Sequence, residues 1–226
     1  MEIQIQDTVA ETLTQNIGAD NVFGKYNIDF CCGGGMSLEQ ACKESGVAFE
    51  TLKQEIEAIK NTISRDVKYD DFNIEDSIEY VSANFHQYFA ENVPLIGQYA
   101  AKVAQVHGED HGEVVEVNAV FMQLSTLLGN CLTMDDDQLF PKMTSYSDNS
   151  NATTEANEIS ILKINLSSNY KTIGNFLKEL SGLTNKFTAP EGACNTYQTL
   201  YVKLADLEQK LHNYMHFQMN VLFSKI

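Results

Sequence analysis

The sequence predicts an all-α protein: a small helical domain over residues 1–60, a linker over 61–73 and an antiparallel four-helix bundle over 74–226. Three observations predict it. The chain has three prolines in 226 residues and no tryptophan, and few stretches alternate apolar and polar residues as a half-buried strand does. From Ile74 onward, four long segments repeat apolar side chains every three or four residues, the spacing of one helical face. The connections between them, at 107–112, 144–154 and 184–193, are short and rich in Gly, Asn, Ser and Thr. Short connections place consecutive helices side by side and antiparallel.

The N-terminal domain reads as three short helices, Thr8 to Val22, Ser37 to Ser45 and Phe49 to Ile59. Ser37 and Gln40 have the spacing of a capping box, in which each side chain satisfies the other's backbone amide. Between the first two helices lies a segment from Tyr26 through Cys31 and Cys32 to Gly35, whose three consecutive glycines break any helix.

The first long helix spans about Ile74 to Val106, with a kink expected at Pro94, which lacks an amide proton. The others span about Glu113 to Met143, Glu155 to Leu183 and Cys194 to Lys225. Their seams are informative. The second helix turns Val114, Val117, Phe121, Leu124, Leu128, Cys131 and Asp135 inward. The fourth turns in Leu200, Leu204, Leu207, Leu211, Tyr214, Gln218 and Val221. The third gives Ile159, Leu162, Leu166, Ile173 and Leu177 with Tyr170 flanking, and the first gives Ile78, Val81 and Phe85 with His86 beside them. Asp135 and Gln218 are costly on a core face unless bonded or ligated. A polar or sulfur-bearing side chain from every helix predicts a shared polar layer, the place where bundles build cofactor sites.

Charge narrows the function. With 31 acidic against 15 basic residues the chain carries a formal −16, which makes nucleic acid and anionic membranes poor partners. No apolar run reaches the roughly 18 residues of a membrane span, and the N-terminus lacks the basic and apolar pattern of a secretory signal. The five cysteines, 31, 32, 42, 131 and 194, are odd in number and do not form a disulfide framework, so the cytoplasm is the expected compartment. Cys42 and Cys194 read as core residues. His212 and His216 read as a surface pair on the fourth helix, and His107 and His111 as capping or solvated residues of the first connection. Cys31 and Cys32 are the strongest chemical feature. Adjacent thiols beside flexible backbone can take a metal ion or a cluster fragment, or form a strained, easily reduced bond. The alternative is a packing role, against which the run of glycines speaks.

The segment Lys25-Tyr-Asn-Ile-Asp-Phe-Cys-Cys-Gly-Gly34 resembles the signature of the repair-of-iron-centres family of iron–sulfur cluster repair proteins. Val106-His-Gly108, Leu139-Phe-Pro141, Pro190-Glu191 with Cys194 close behind, and Asn220-Val-Leu-Phe223 match further family landmarks in order. The resemblance covers nearly the whole chain. It implies a Cys-Cys domain joined to a hemerythrin-like bundle that holds a non-haem di-iron centre, with damaged iron–sulfur proteins as partners. It also implies six iron ligands: a His from the first helix, a His and a Glu from the second, a His from the third, and a His and a Glu from the fourth. Carried over by the landmarks, these positions hold His86, Cys131, Asp135, Tyr170, Tyr214 and Gln218. Only His86 is retained. One imidazole and one carboxylate do not balance two irons, so the expected cofactor is none or a single metal ion, with no intact di-iron centre for turnover.

Three functions remain open on the sequence. The first is a stress protein of the repair family with its remaining chemistry at Cys31 and Cys32. The second is a metal-free binding or regulatory module, and the third a mononuclear metal sensor. Self-association, or pairing with an active relative, is equally open.

Overall fold

The computed structural model describes residues 3–15, 19–26, 28, 30, 34–62, 69–148 and 153–226. It is all-α, and among the described residues the only extended pairing is an antiparallel bridge between Thr8 and Ser37. No described helix is long and apolar enough to cross a membrane. By internal contacts the chain divides into one unit of residues 1–77 with 212–225 and another of 78–211 with Ile226. The boundary lies at Ser77, just beyond the segment the sequence assigns to a linker, and the C-terminal turns group with the N-terminal helices.

The first unit contains α1 (Val9–Gln15), α2 (Ala19–Lys25), α3 (Leu38–Ser45) and α4 (Phe49–Thr62). Of the helix the sequence suggests from Thr8 to Val22, the structure describes Val9–Gln15 and Ala19 onward, the latter reaching Lys25, with residues 16–18 outside the described residues. The complete capping box is at the start of α1. The Thr8 amide donates to Glu11 Oε2 at 2.8 Å, and the Glu11 amide donates to Thr8 Oγ1 at 3.1 Å. The box expected at Ser37 is half made. Ser37 Oγ accepts from the Gln40 amide, but the Gln40 side chain turns to Glu44 at 2.9 Å. Ile3, Val9, Leu13, Phe23, Ile28, Phe30, Leu38, Leu52 and Ile56 form the apolar core of this unit. α4 extends through Thr62, and a 3₁₀ turn at Tyr69–Asp71 lies within the stretch read as linker.

The second unit is the bundle. Its first helix starts as α5 (Ile74–Val81), passes through a π-helical turn at Ser82–His86 and continues as α6 (Gln87–His107). The helix continues through Pro94, and a π turn interrupts its regular α pattern at Ser82–His86. The second helix is α7 (Glu113–Met134), a π turn at Asp135–Leu139, and α8 (Phe140–Asp148). The third is α9 (Thr153–Leu183) and the fourth α10 (Asn195–Phe217), of which the part up to Leu211 belongs here. α7 packs against both α6 and α9. α10 is tied to α6 by Tyr88 donating to Asp206 at 2.5 Å and by Lys210, whose ammonium stands 5.3 Å from the Tyr88 ring centre. All seven α7 seam residues named from the sequence are buried, from Val114 to Asp135.

Two predictions follow from this packing. Leu124 is fully buried, so Leu124→Ala is expected to cost about 2–5 kcal/mol of unfolding free energy by urea titration. Val202, 69% exposed, should change it by less than about 0.5 kcal/mol when cut to Ala. Glu208 is the pH-sensitive element of α10, because burial pushes its carboxyl up to about 7. The unfolded chain releases this proton at lower pH than the folded one, so the group's contribution is full below about pH 4.5 and declines as pH rises to about 7. Glu208→Gln should flatten that decline and raise the melting temperature at pH 8. An unchanged pH profile would exclude Glu208 as its source.

Candidate functional site

The six carried-over positions divide between the two units. His86, Cys131, Asp135 and Tyr170 lie in the second, and Tyr214 and Gln218 in the first.

In the bundle, the two π turns place the polar pair. His86 ends the turn at Ser82–His86, and Asp135 begins the one at Asp135–Leu139. A π turn carries one extra residue, which resets the helical phase and re-aims the side chains at that level. The imidazole stands between two carboxylates, with Nε2 3.3 Å from Asp135 Oδ2 and Nδ1 3.1 Å from Asp136 Oδ1. It also stacks on Phe140, with ring centres 5.6 Å apart. The Asp135 side chain is wholly buried, whereas Asp136 is 58% exposed. Cys131 lies one turn before Asp135 and is buried. Burial pushes its thiol up to about 12; the Asn169 side chain opposes the shift and the Asp135 charge adds to it. Cys131 is therefore a protonated thiol at neutral pH. Tyr170 is completely buried. The structure thus brings His86 and Asp135 into contact, with Cys131 one turn before Asp135. Among the described residues no three His, Cys, Asp or Glu side chains are placed to hold a metal ion.

In the first unit, Tyr214 and Gln218 are completely buried, and Gln218 opens a third π turn, Gln218–Leu222. Residues 214 to 218 are buried in succession, so this end of the helix is covered on all sides. That overturns the expectation of a surface pair at His212 and His216. His216 is 3% exposed, and burial lowers its imidazole to about 4, a shift the Phe30 backbone partly opposes. Asn220 donates to its Nδ1 at 3.1 Å, so the neutral ring carries its proton on Nε2. His212 stands edge-on to Phe30, with ring centres 5.4 Å apart.

Cys31 and Cys32 lie outside the described residues, but the chain on both sides of them is tightly held. Lys25 and Tyr26 both donate to Glu55 of α4, at 2.7 Å each. Ile28 and Phe30 are anchored in the core. On the far side, Gly34 and Met36 accept the Ala10 and Val9 amides of α1, each at 2.9 Å. A Cβ at Gly34 would come within 3.1 Å of both Ala10 Cβ and the Phe30 carbonyl oxygen. Gly34 is thus closely packed, whereas a Cβ at Gly35 would meet nothing within 4 Å. A second correction concerns Cys194. It is exposed rather than part of the core, while Cys42 is buried as expected.

Comparison with known proteins places this geometry. Residues 5–60 match a family profile described as a domain of unknown function, DUF542, of the ScdA_N type. The chain is 28% identical over 220 residues to a protein named iron-sulfur cluster repair protein ScdA from Staphylococcus haemolyticus, covering 97% of each. These similarities support the resemblance to the repair-of-iron-centres family. The chain is also 26% identical over 211 residues to an iron-sulfur cluster repair protein YtfE of Pectobacterium atrosepticum, covering 92% of this chain and 90% of that one. A probable iron-sulfur cluster repair protein of Haemophilus influenzae is 24% identical over 225 residues.

The His86–Asp135 contact gives a direct prediction. Asp135→Ala removes a buried acceptor and should lower stability by about 2–3 kcal/mol at neutral pH, read by urea denaturation. An exposed substitution, Asp136→Ala, should cost under about 1 kcal/mol.

Proposed function

We propose that this chain acts in the repair of damaged iron–sulfur proteins in the cytoplasm, with its chemistry at Cys31 and Cys32 and not in the bundle core. The observation that carries the reading is end-to-end similarity to relatives named iron-sulfur cluster repair proteins. Supporting it, the signature segment is retained, and the chain flanking the two cysteines is fixed by Glu55, by the core and by the first turn of α1. Each thiolate is an iron ligand and a nucleophile in proportion to its ionisation and access.

The donors at the inherited ligand positions do not fit a di-iron centre. Two irons need several imidazoles and bridging carboxylates. Here the set is one imidazole, one carboxylate, two phenols, an uncharged amide and a thiol whose pKa burial raises to about 12. Tyr170 and Tyr214 are both completely buried, as side chains that fill a core would be. That burial favours a second reading, a metal-free bundle serving as a binding or regulatory module. The family resemblance favours the first.

Protein expressed with ample iron is expected to hold well below two irons per chain and to lack oxo-bridged di-iron absorption. A chelator should leave its melting temperature unchanged. Replacing both Cys31 and Cys32 with Ser should abolish recovery of an oxidatively damaged cluster enzyme, while His86→Ala keeps most of it. The converse pattern would return the chemistry to the bundle. Full recovery with both variants would favour the regulatory module.

A further inference from the structure

We propose that Cys194 is a second reactive thiol, a nucleophile toward small-molecule disulfides, with His107 as the base that takes its proton. The pair lies in the bundle unit. Of the three described cysteines, Cys42 and Cys131 are buried and Cys194 is exposed. Its sulfur faces His107 Nε2 at 3.3 Å, within hydrogen-bond reach of a thiol and an imidazole. A nucleophile and a base at this separation are the minimal constellation for an activated thiol.

The base is held in place from behind. His107 is the last residue of α6, and its ring rests on Tyr197, with centres 5.5 Å apart. Tyr197 is 1% exposed and is itself fixed, donating to Glu113 Oε1 at 3.2 Å and lying 3.4 Å from the Tyr201 hydroxyl. His111 binds the same Glu113 oxygen at 3.0 Å, so the carboxylate anchors the tyrosine without touching the thiol. Gly108 fixes the turn. A Cβ there would lie 2.5 Å from the Ala104 carbonyl oxygen and 2.7 Å from Val115 Cγ2, so only glycine lets the chain leave α6 directly after His107.

Backbone adds to the side-chain pair. Cys194 immediately precedes α10, and its carbonyl accepts the first intrahelical bond, from the Gln198 amide at 3.0 Å. The unpaired amides and partial positive charge of that helix end favour a thiolate. The step balances as an exchange. The thiol proton passes to His107, and the sulfur attacks one sulfur of a low-molecular-weight disulfide. A mixed disulfide forms at Cys194, the original S–S bond breaks, and the departing thiolate recovers the proton from the imidazolium.

The test uses the full chain and a neutral disulfide, bis(2-hydroxyethyl) disulfide, with acid quenching and peptide mass spectrometry to assign each cysteine. A free thiol is only a few per cent ionised at neutral pH, so at pH 7 Cys194 should react about tenfold faster in the native chain than in the urea-unfolded chain. Cys42 and Cys131 should react more slowly when native. His107→Gln, which keeps a polar side chain but no base, should bring native Cys194 down to the unfolded rate with helix content unchanged by circular dichroism. A native Cys194 no faster than the unfolded one, or a folded His107→Gln chain with the wild-type rate, would overturn the proposal. Should that variant misfold, the native-to-unfolded ratio of the wild-type chain decides alone.

Discussion

Seven successive seam residues of the second bundle helix, from Val114 to Asp135, are buried, and the arrangement of the bundle depends on that constraint. Six of them gain by leaving water. The seventh, a carboxylate, stands one turn beyond Cys131 and is buried with it. Burial of Asp135 is tolerable only with a partner, and His86 supplies it. The apolar seam thus explains why a polar pair persists in this core with or without a metal beside it.

The π turns show how the backbone serves the same end. In the bundle unit they fall at the two residues that meet, His86 and Asp135. A third falls at Gln218 in the other unit. Each costs regular hydrogen bonding and is retained where a side chain must point out of the regular phase.

Two thiol chemistries are separated in the chain by environment. Cys131 is sealed in the core with its thiol pushed up to about 12, and is inert for that reason. Cys194 stands exposed at a helix start beside an imidazole held by a buried tyrosine. The contrast is one of environment: desolvation holds the proton on Cys131, while Cys194 lies exposed with an imidazole nitrogen 3.3 Å from its sulfur.

The sequence by itself determined the all-α class, the four seams and the polar residues within them. Three-four periodicity is a local property, and burial follows it directly along α7 and α10. It also carried the family signature around Cys31 and Cys32. Tertiary structure decided what periodicity cannot express. The first bundle helix carries a π turn at Ser82–His86, which no residue type there signals. His216 is buried although it faces away from its own seam, since helices distant in sequence cover the other side. Gly34 packs closely on Ala10, and His107 meets Cys194 across 87 residues of chain. No spacing rule reaches that far, because such contacts exist only once the helices have packed.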